Sequence, residues 1–511
     1  MKKLNIIEKL ILVGSICFCS ICSAKVITYP VPISEKAITS YDVFVNGEKI
    51  DLYRALSPEY KGGDYFFTYF DFDGEVNVEV RSKVPFSKSV PYTAPAEVKE
   101  AAKKIIVGEV FPSSIKAKVE RFKVSFKQDK PFKAVVIRNG RERPLIIFGN
   151  PIEKNRPKKD DPNVVYFEAG VHYPEKEIRL KDNQILYLEG GAVLKSPIYA
   201  TGKNIKVCGR GIISLDRFER GLIQSVKFDV CENLIVEDII IKDPISWTFI
   251  LQSCNNVVVD NLKICASRML NDDAIDICNS SNVVIKNTFT RSQDDSVAIK
   301  GIYGSGHRMG RKATENTYSR FNNLPVENIE IYDCIFWSDH ANTFRIGYEC
   351  DAPFFKNIKV RNIQIPYYSK YRPIDDYWAH ATVLLLPTND MKISDVHFEN
   401  IQIRANGEDM PILIAKPRLI SGYFDTKTAG SIENCSIKNV AVTGQKTAKI
   451  PYTDKYSSYN GEIYIEGFGA KNKVKNLVVE DISFFGKKSS SATHKIKLGD
   501  FIENVKVLSD K

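Results

Sequence analysis

No apolar stretch in this sequence is long enough to cross a bilayer. A spanning helix needs ~20 apolar residues, and the longest run, Leu10 to Ala24, is shorter. There is no Cys-x-x-Cys pair and no His/Cys cluster, which argues against a zinc site. Blocks of like charge are missing as well: 72 Lys and Arg are interspersed with 62 Asp and Glu, for a net charge of +10. Without a basic stripe or a recognition motif, nucleic-acid binding is not expected, although a mildly basic chain could favour an anionic partner by steering. The composition, 43% apolar and 26% charged, excludes a disordered or collagen-like chain. At 511 residues the protein exceeds one small core and suffices for two domains.

The first 24 residues have the layout of a secretory leader. Lys2, Lys3 and Lys9 form a basic start, Leu10–Ile21 an apolar centre, and Cys22-Ser23-Ala24 a small-residue cleavage site. The bland alternative is a short N-terminal helix. Cleavage would remove three Lys and one Glu, lowering the formal charge from +10 to +8. The expected destination is the periplasm, the cell surface or the medium. Cys17, Cys19 and Cys22 lie in the leader without a convincing lipobox, so lipid anchoring stays open. Export permits disulfides, but for Cys208, Cys231, Cys254, Cys265, Cys278, Cys334, Cys350 and Cys435 buried free thiols are the expected state.

Residues 25–150 contain short runs of period two, such as Tyr41-Asp-Val-Phe-Val, Val76-Asn-Val-Glu-Val, Phe122-Lys-Val-Ser-Phe, Ala134-Val-Val-Ile-Arg and Leu145-Ile-Ile-Phe. Gly, Pro, Asn and Asp separate them, which predicts a β-sandwich interrupted by one helical stretch, Ala96–Ile106. Residues 151–162, charged and Pro-rich, read as a linker.

Residues 163–511 carry an irregular repeat. Asn followed by a short β-type run recurs at Asn233, Asn256, Asn282, Asn328, Asn357, Asn434 and Asn476, with Asp395 filling the gap. A second Asn or Asp follows most of the runs, as at Asp238, Asn261, Asn287 and Asp333. No helical segment accompanies the repeat, which excludes leucine-rich and armadillo solenoids. Spacings of 23 and 26 residues for the first units fit one turn of a right-handed parallel β-helix, with longer gaps explained by inserted loops. An inward Asn at a fixed bend is expected to bond to the Asn one turn away, turns being ~4.8 Å apart. Cys231 and Cys254 share one offset and should stack, as core thiols or as a bonded pair.

In a solenoid, equivalent offsets form rows. Aligned by their apolar ends, Ser246-Trp-Thr-Phe-Ile-Leu, Asp272-Asp-Ala-Ile-Asp-Ile, Asp294-Asp-Ser-Val-Ala-Ile and Ala341-Asn-Thr-Phe-Arg-Ile place Trp247, Asp273, Asp295 and Asn342 in one row. Ser246, Asp272, Asp294 and Ala341 form the adjacent row, and Ile250, Asp276, Ala298 and Arg345 a third. Clustered acids repel and force at least one pKa upward. Such a cluster is either a solvated acidic turn or calcium site, or a carboxylate group built for acid–base work. Glycoside cleavage needs that division: an acid for the leaving oxygen and a base for water.

Asn271-Asp-Asp273-Ala-Ile-Asp276 resembles the Asn-Thr-Asp motif of glycoside hydrolase family 28, the polygalacturonase family, and Gln293-Asp294-Asp295-Ser-Val-Ala resembles its Asp-Asp motif. Phe344-Arg345-Ile346-Gly347 looks like a reduced Arg-Ile-Lys motif. The segment from Trp337 through His340 and Asn342 to Tyr348 is similar to family 49 of the same clan, the dextranase and isopullulanase group, which joins a β-sandwich to a β-helix. The resemblance implies an inverting hydrolase of an α-linked polysaccharide, pectin-like or dextran-like. It makes Asp294 the general acid, with Asp273 and Asp295 holding and deprotonating water. The family 28 Gly-His-Gly motif is absent, Ser305-Gly306-His307-Arg308 being a partial echo. Gly347 in place of Lys weakens the case for a galacturonate carboxylate, although Arg345 alone could grip one bidentately.

Asp272, Asp276, Lys300, His340, Asn342, Arg345 and Trp247 are the candidate substrate-binding residues. Trp247 reads equally as a sugar platform or a rim aromatic, and His340 as a tuner of the acids or a loop histidine. The cluster Tyr367, Tyr368, Tyr371, Tyr377 and Trp378 lines a cleft or packs on the flank. Arg268, Arg291, Lys300, Arg308, Arg311 and Lys312 together hint at an anionic substrate. His172, His380, His397 and His494 receive no role, and Asp160-Asp161 and Asp375-Asp376 read as loop charges. No metal and no cofactor are implied, and the oligomeric state is not legible. Two rivals stay open: a polysaccharide lyase, whose acids would be calcium ligands, and a non-catalytic carbohydrate-binding solenoid.

Overall fold

The computed structural model describes residues 24–508 except 60–61, 88–95, 98–99, 101–103, 105–106, 139–141, 220–223, 303–323, 351, 368–378, 421–425, 450–455 and 491–494. The leader, most of the helical stretch expected at Ala96–Ile106, and the Tyr368–Trp378 cluster therefore lie outside the described residues. Among those described, no helix is long and apolar enough to cross a membrane.

The period-two runs form two facing sheets. Tyr41–Val45, Glu48–Ile50, Val76–Ser82, Ala117–Val119 and Lys123–Gln128 make one antiparallel sheet. Strand Val76–Ser82 shows why: Val76, Val78 and Val80 are buried while Asn77 and Arg81 face water, so one face packs and the other is wet. The second sheet is built on Tyr65–Asp73, Phe132–Ile137 and Leu145–Pro151, whose residues are buried almost throughout. Continuous burial means that both faces are covered. Phe66, Phe70, Ala134, Val136 and Ile147 point into the sandwich. Tyr65, Phe67, Val135, Ile146 and Phe148 point the other way, onto Val193, Ile212, Ile240, Phe289 and Ile335 of the following region.

That region is one coiled parallel sheet running from Val164–Phe167 to Lys506–Val507. Parallel crossovers are right-handed, and the coil is a right-handed parallel β-helix. Its register is visible in one interior column, Ile205, Leu234, Val257, Val283, Ile329, Ile358 and Val396, each paired to the next turn. These side chains are buried in one continuous apolar filling.

The repeat asparagines occupy the bends in left-handed backbone, with φ between 50° and 58° at Asn233, Asn256, Asn282, Asn328, Asn357, Asn434 and Asn476. Asn tolerates this conformation better than other non-glycine residues. Their amides bond turn to turn, as from Asn256 to Asn233 at 2.7 Å and from Asn357 to Asn328 at 2.7 Å. The expected inward placement is corrected: most of these asparagines lie at the surface, outside the apolar filling. The interior is filled instead by the apolar residues that follow them, such as Leu234, Val257, Val283 and Ile329. All eight described cysteines are buried and free, so Cys231 and Cys254 do not pair.

The seam between sandwich and coil holds buried charge. Arg210, 1% exposed, places its Nε 2.8 Å and 2.9 Å from the two carboxylate oxygens of Asp71 and its Nη2 2.7 Å from the carbonyl of Pro151. It also meets Asp238 at 2.6 Å. Removing one member of a buried pair strands the other. Arg210→Met should therefore cost roughly 3–5 kcal/mol in urea unfolding, and adding Asp71→Asn should restore part of that loss. A loss under ~1 kcal/mol would show that the seam does not depend on this pair.

Candidate active site

Strands Phe249–Gln252, Ile275–Cys278, Val297–Gly301, Phe344–Cys350 and Val383–Leu386 stack on one side of the coil. Alternation sends Ile275, Ile277, Val297 and Ile299 inward to the apolar filling. The outward column runs Ile250, Asp276, Ala298, Arg345 and Leu384, in the register expected. Just before each strand the backbone is also locked between turns: Thr248 donates to the carbonyl of Asp273, Ala274 to that of Asp295, and Ser296 to that of Asn342. Trp247, Asp273, Asp295 and Asn342 consequently share a row and line one cleft of about 330 Å³.

Carboxylate oxygens of Asp273, Asp294 and Asp295 all lie within 4.8 Å of one another. Asp294 is the partly exposed member of the three. Its Oδ1 accepts the Asp295 N–H at 3.0 Å and its Oδ2 faces the Asn271 amide at 3.4 Å. Hydroxyls of Ser292 and Ser338 both bond its carbonyl at 2.9 Å, fixing the turn that carries it. Burial pushes the Asp294 carboxyl well above the usual carboxylate range, and the negative charges of Asp273 and Asp295 push it further. Lys300 and Arg345 oppose the shift without cancelling it.

The flanking acids are held differently. Asp295 accepts the backbone and side-chain amides of Asn342 at 3.0 Å and 2.7 Å, and its other oxygen is 3.0 Å from Arg345 Nε. Asp273 is 2.7 Å from Lys300 Nζ, which is also 2.6 Å from Asp276 and lies 3.5 Å over the Trp247 ring. His340 lines the same cleft beside His380, their rings 5.7 Å apart.

Two of the candidate substrate contacts are corrected. Asp272 is fully buried; it accepts the backbone N–H groups of Gln293 at 2.5 Å and Ser267 at 2.8 Å and braces the acidic turn from beneath. Asp276 is fully buried under the cleft as the partner of Lys300. Arg291 leaves the basic group, because its strand faces the sandwich. There it pairs with Asp339 at 2.9 Å and stacks on Tyr65 and Trp337. Arg268 reaches the Leu215 carbonyl at 3.0 Å. Tyr367 stacks on Trp337 at 5.2 Å, on that same seam. Arg308, Arg311, Lys312 and the partial echo at Ser305–Arg308 fall outside the described residues.

The lining residues that were not candidates include His380, Tyr348 and Glu349. Between paired positions Ile299–Ile346 and Gly301–Cys350, one strand has a single residue and the other has three, so Gly347-Tyr348-Glu349 bulges toward the cleft. Glu349 meets Arg345 Nη2 at 3.0 Å. Gly347 has φ +102°, and a Cβ there would stand 2.3 Å from the Leu386 carbonyl oxygen. No lysine fits where the family motif carries one.

Residues 216–459 match the family model of glycosyl hydrolases family 28. A polygalacturonase of Persea americana is 24% identical over 193 residues, which is 35% of this chain and 40% of that protein. The chain thus spans well under half the length of this curated relative. Among solved structures, Dex49A from Penicillium minioluteum aligns over 91% of this chain and 92% of its own, with 13% identity and a TM-score of 0.56. A family 28 exopolygalacturonase of Yersinia enterocolitica covers 96% and 97%, with 13% identity and a TM-score of 0.48. The family match bears out the resemblance to the glycoside hydrolase clan of families 28 and 49. Within the matched residues the acidic motifs of the two turns meet in one cleft.

Asp294 links the site to stability. Its folded pKa lies above the unfolded value of ~3.9, so the native state keeps a proton that the unfolded state has released. That contribution is complete below pH ~4 and is lost as pH rises through the elevated folded value. Asp294→Asn cannot ionise, so it should raise the melting temperature by about 1–3 °C at pH 7 and by little at pH 3.5. Equal increments at both pH values would contradict the assignment of a strained carboxyl.

Proposed function

We propose that the protein is an exported, inverting glycoside hydrolase acting on an α-linked polysaccharide, without cofactor or metal. The observation that carries this reading is the convergence of Asp273, Asp294 and Asp295 in one cleft, where burial and its neighbours push the central carboxyl well above its usual range. The leader pattern at Lys2–Ala24 supports export, and the 163–511 coil is proposed as the catalytic unit with the 25–150 sandwich as its packing support.

Asp294 acts as general acid. A protonated carboxyl beside two anions donates readily to a glycosidic oxygen, because charge builds on the leaving group as the bond breaks. Asp273 and Asp295 hold the water. Oxygens within 4.8 Å can share one water at hydrogen bonds of ~2.8 Å. The separation is shorter than the ~6.5–9.5 Å of most inverting acid–base pairs; here the water is gripped between two acids beside the third. As the proton leaves Asp294 for the sugar oxygen, the water loses one to the pair, and its oxygen bonds to the anomeric carbon from the opposite face. Lys300 and Arg345 limit the negative charge that the pair accumulates. Trp247, His340 and Asn342 are proposed to position the sugar.

A reducing-sugar screen over dextran, pullulan, polygalacturonate and sulfated galactans tests the reading. The wild type should release reducing ends from at least one polymer, and Asp294→Asn should lower that rate by roughly 10²–10⁴-fold. Near wild-type activity in Asp294→Asn would remove it as the acid. Proton NMR during turnover should show the inverted anomer first; a retained anomer would make one aspartate a nucleophile instead. Loss of activity on chelation, with an ultraviolet-absorbing product, would indicate a lyase.

A further inference from the structure

We propose that the ring bound over the acid cluster is an uncharged sugar, and that Glu349 enforces this by occupying Arg345. The inference rests on the hydrolase reading and specifies its substrate class.

Among the described residues that line the cleft, Lys300 and Arg345 are the permanent cations. Both are consumed. An ammonium has three donors, and Lys300 directs its charge at Asp273, Asp276 and the face of Trp247. A guanidinium grips a carboxylate through two adjacent nitrogens. Arg345 bonds Glu349 through Nη2 at 3.0 Å and has Nε 3.0 Å from Asp295, so its charge is already shared by two carboxylates. A uronate gripped by Arg345, as its position alone would allow, has to compete with both.

The charge balance leads to the same result. Asp273, Asp294, Asp295 and Glu349 line the cleft and Asp276 lies beneath it, against Lys300 and Arg345. Burial pushes the Asp276 carboxyl upward as it does that of Asp294, and with both protonated three carboxylates still face two permanent cations among the described residues. A uronate or sulfate group entering this space gives up its hydration to meet net negative charge. A neutral ring meets Leu270, Leu384 and the edge of Trp247, with amides of Asn271, Gln293 and Asn342 for its hydroxyls. The bulge supplies the device: it brings Glu349 to Arg345 while leaving no room for a side chain at Gly347.

The test uses the full chain and two readouts. In the polymer screen the wild type should act on dextran or pullulan at least 100-fold faster than on polygalacturonate or sulfated galactan. By titration calorimetry, Glu349→Gln should shift the ratio of affinities at least tenfold toward trigalacturonate over isomaltotriose, and Glu349→Asp should restore most of the discrimination. Hydrolysis of polygalacturonate as fast as any neutral polymer, and abolished by Asp294→Asn, would overturn this proposal while leaving the hydrolase reading intact. No turnover of any polymer would defeat the hydrolase reading, and the calorimetric ratio, which needs no turnover, would still decide the exclusion of charge. An unchanged ratio in Glu349→Gln would overturn the role of Glu349.

Discussion

Hydrogen bonding between successive parallel turns fixes the distance between equivalent side chains, and the site depends on that constraint. A carboxylate on an ordinary loop can swing away from its neighbour. Here the carbonyls of Asp273 and Asp295 each accept a backbone bond from the turn before, so the residues cannot separate without breaking the ladder. Burial, together with the charges of Asp273 and Asp295 that cannot move away, pushes the Asp294 carboxyl upward. The apolar filling of the coil thus does chemical work at its surface: it holds the backbone against the electrostatic cost of the cluster.

The cations are placed as spacers. Lys300 stands between Asp273 and Asp276, and Arg345 between Asp295 and Glu349, so each positive charge is shared by two acids. Asp294 has no cation of its own at contact distance among the described residues, and burial and its acidic neighbours push its carboxyl upward. The sandwich contributes from behind. Tyr65 and Trp337 clasp Arg291, Asp339 accepts the Arg291 and Trp337 donors, and Ser267 joins Asp339 to the segment that precedes the first acidic motif.

Much of this was legible in the sequence because both the fold and the acids obey a period. The strand runs of the sandwich, the asparagine bends, and the rows of Trp247, Asp273, Asp295 and Asn342 follow from spacing alone. What could not be read were departures from the period. Asp272 and Asp273 are adjacent and chemically alike, and only the turn conformation decides that one braces backbone amides while the other reaches the cleft. Arg291 belongs to a strand row whose outward face is covered by the sandwich, a fact of docking that no local pattern carries. The asparagines bond turn to turn as expected, but on the outer bend and not inside, a placement that spacing alone does not decide. Glu349 and His380 come from a bulge and from the far side of a long insertion, where counting offsets fails.

The bulge at Gly347–Glu349 also couples two positions that look independent in the sequence. A side chain at Gly347 would collide with the Leu386 carbonyl, and the same two surplus residues that shape this backbone carry Glu349 toward Arg345. Shortening the strand to admit a larger residue at Gly347 would therefore withdraw the acid as well, so the two positions have to be redesigned together.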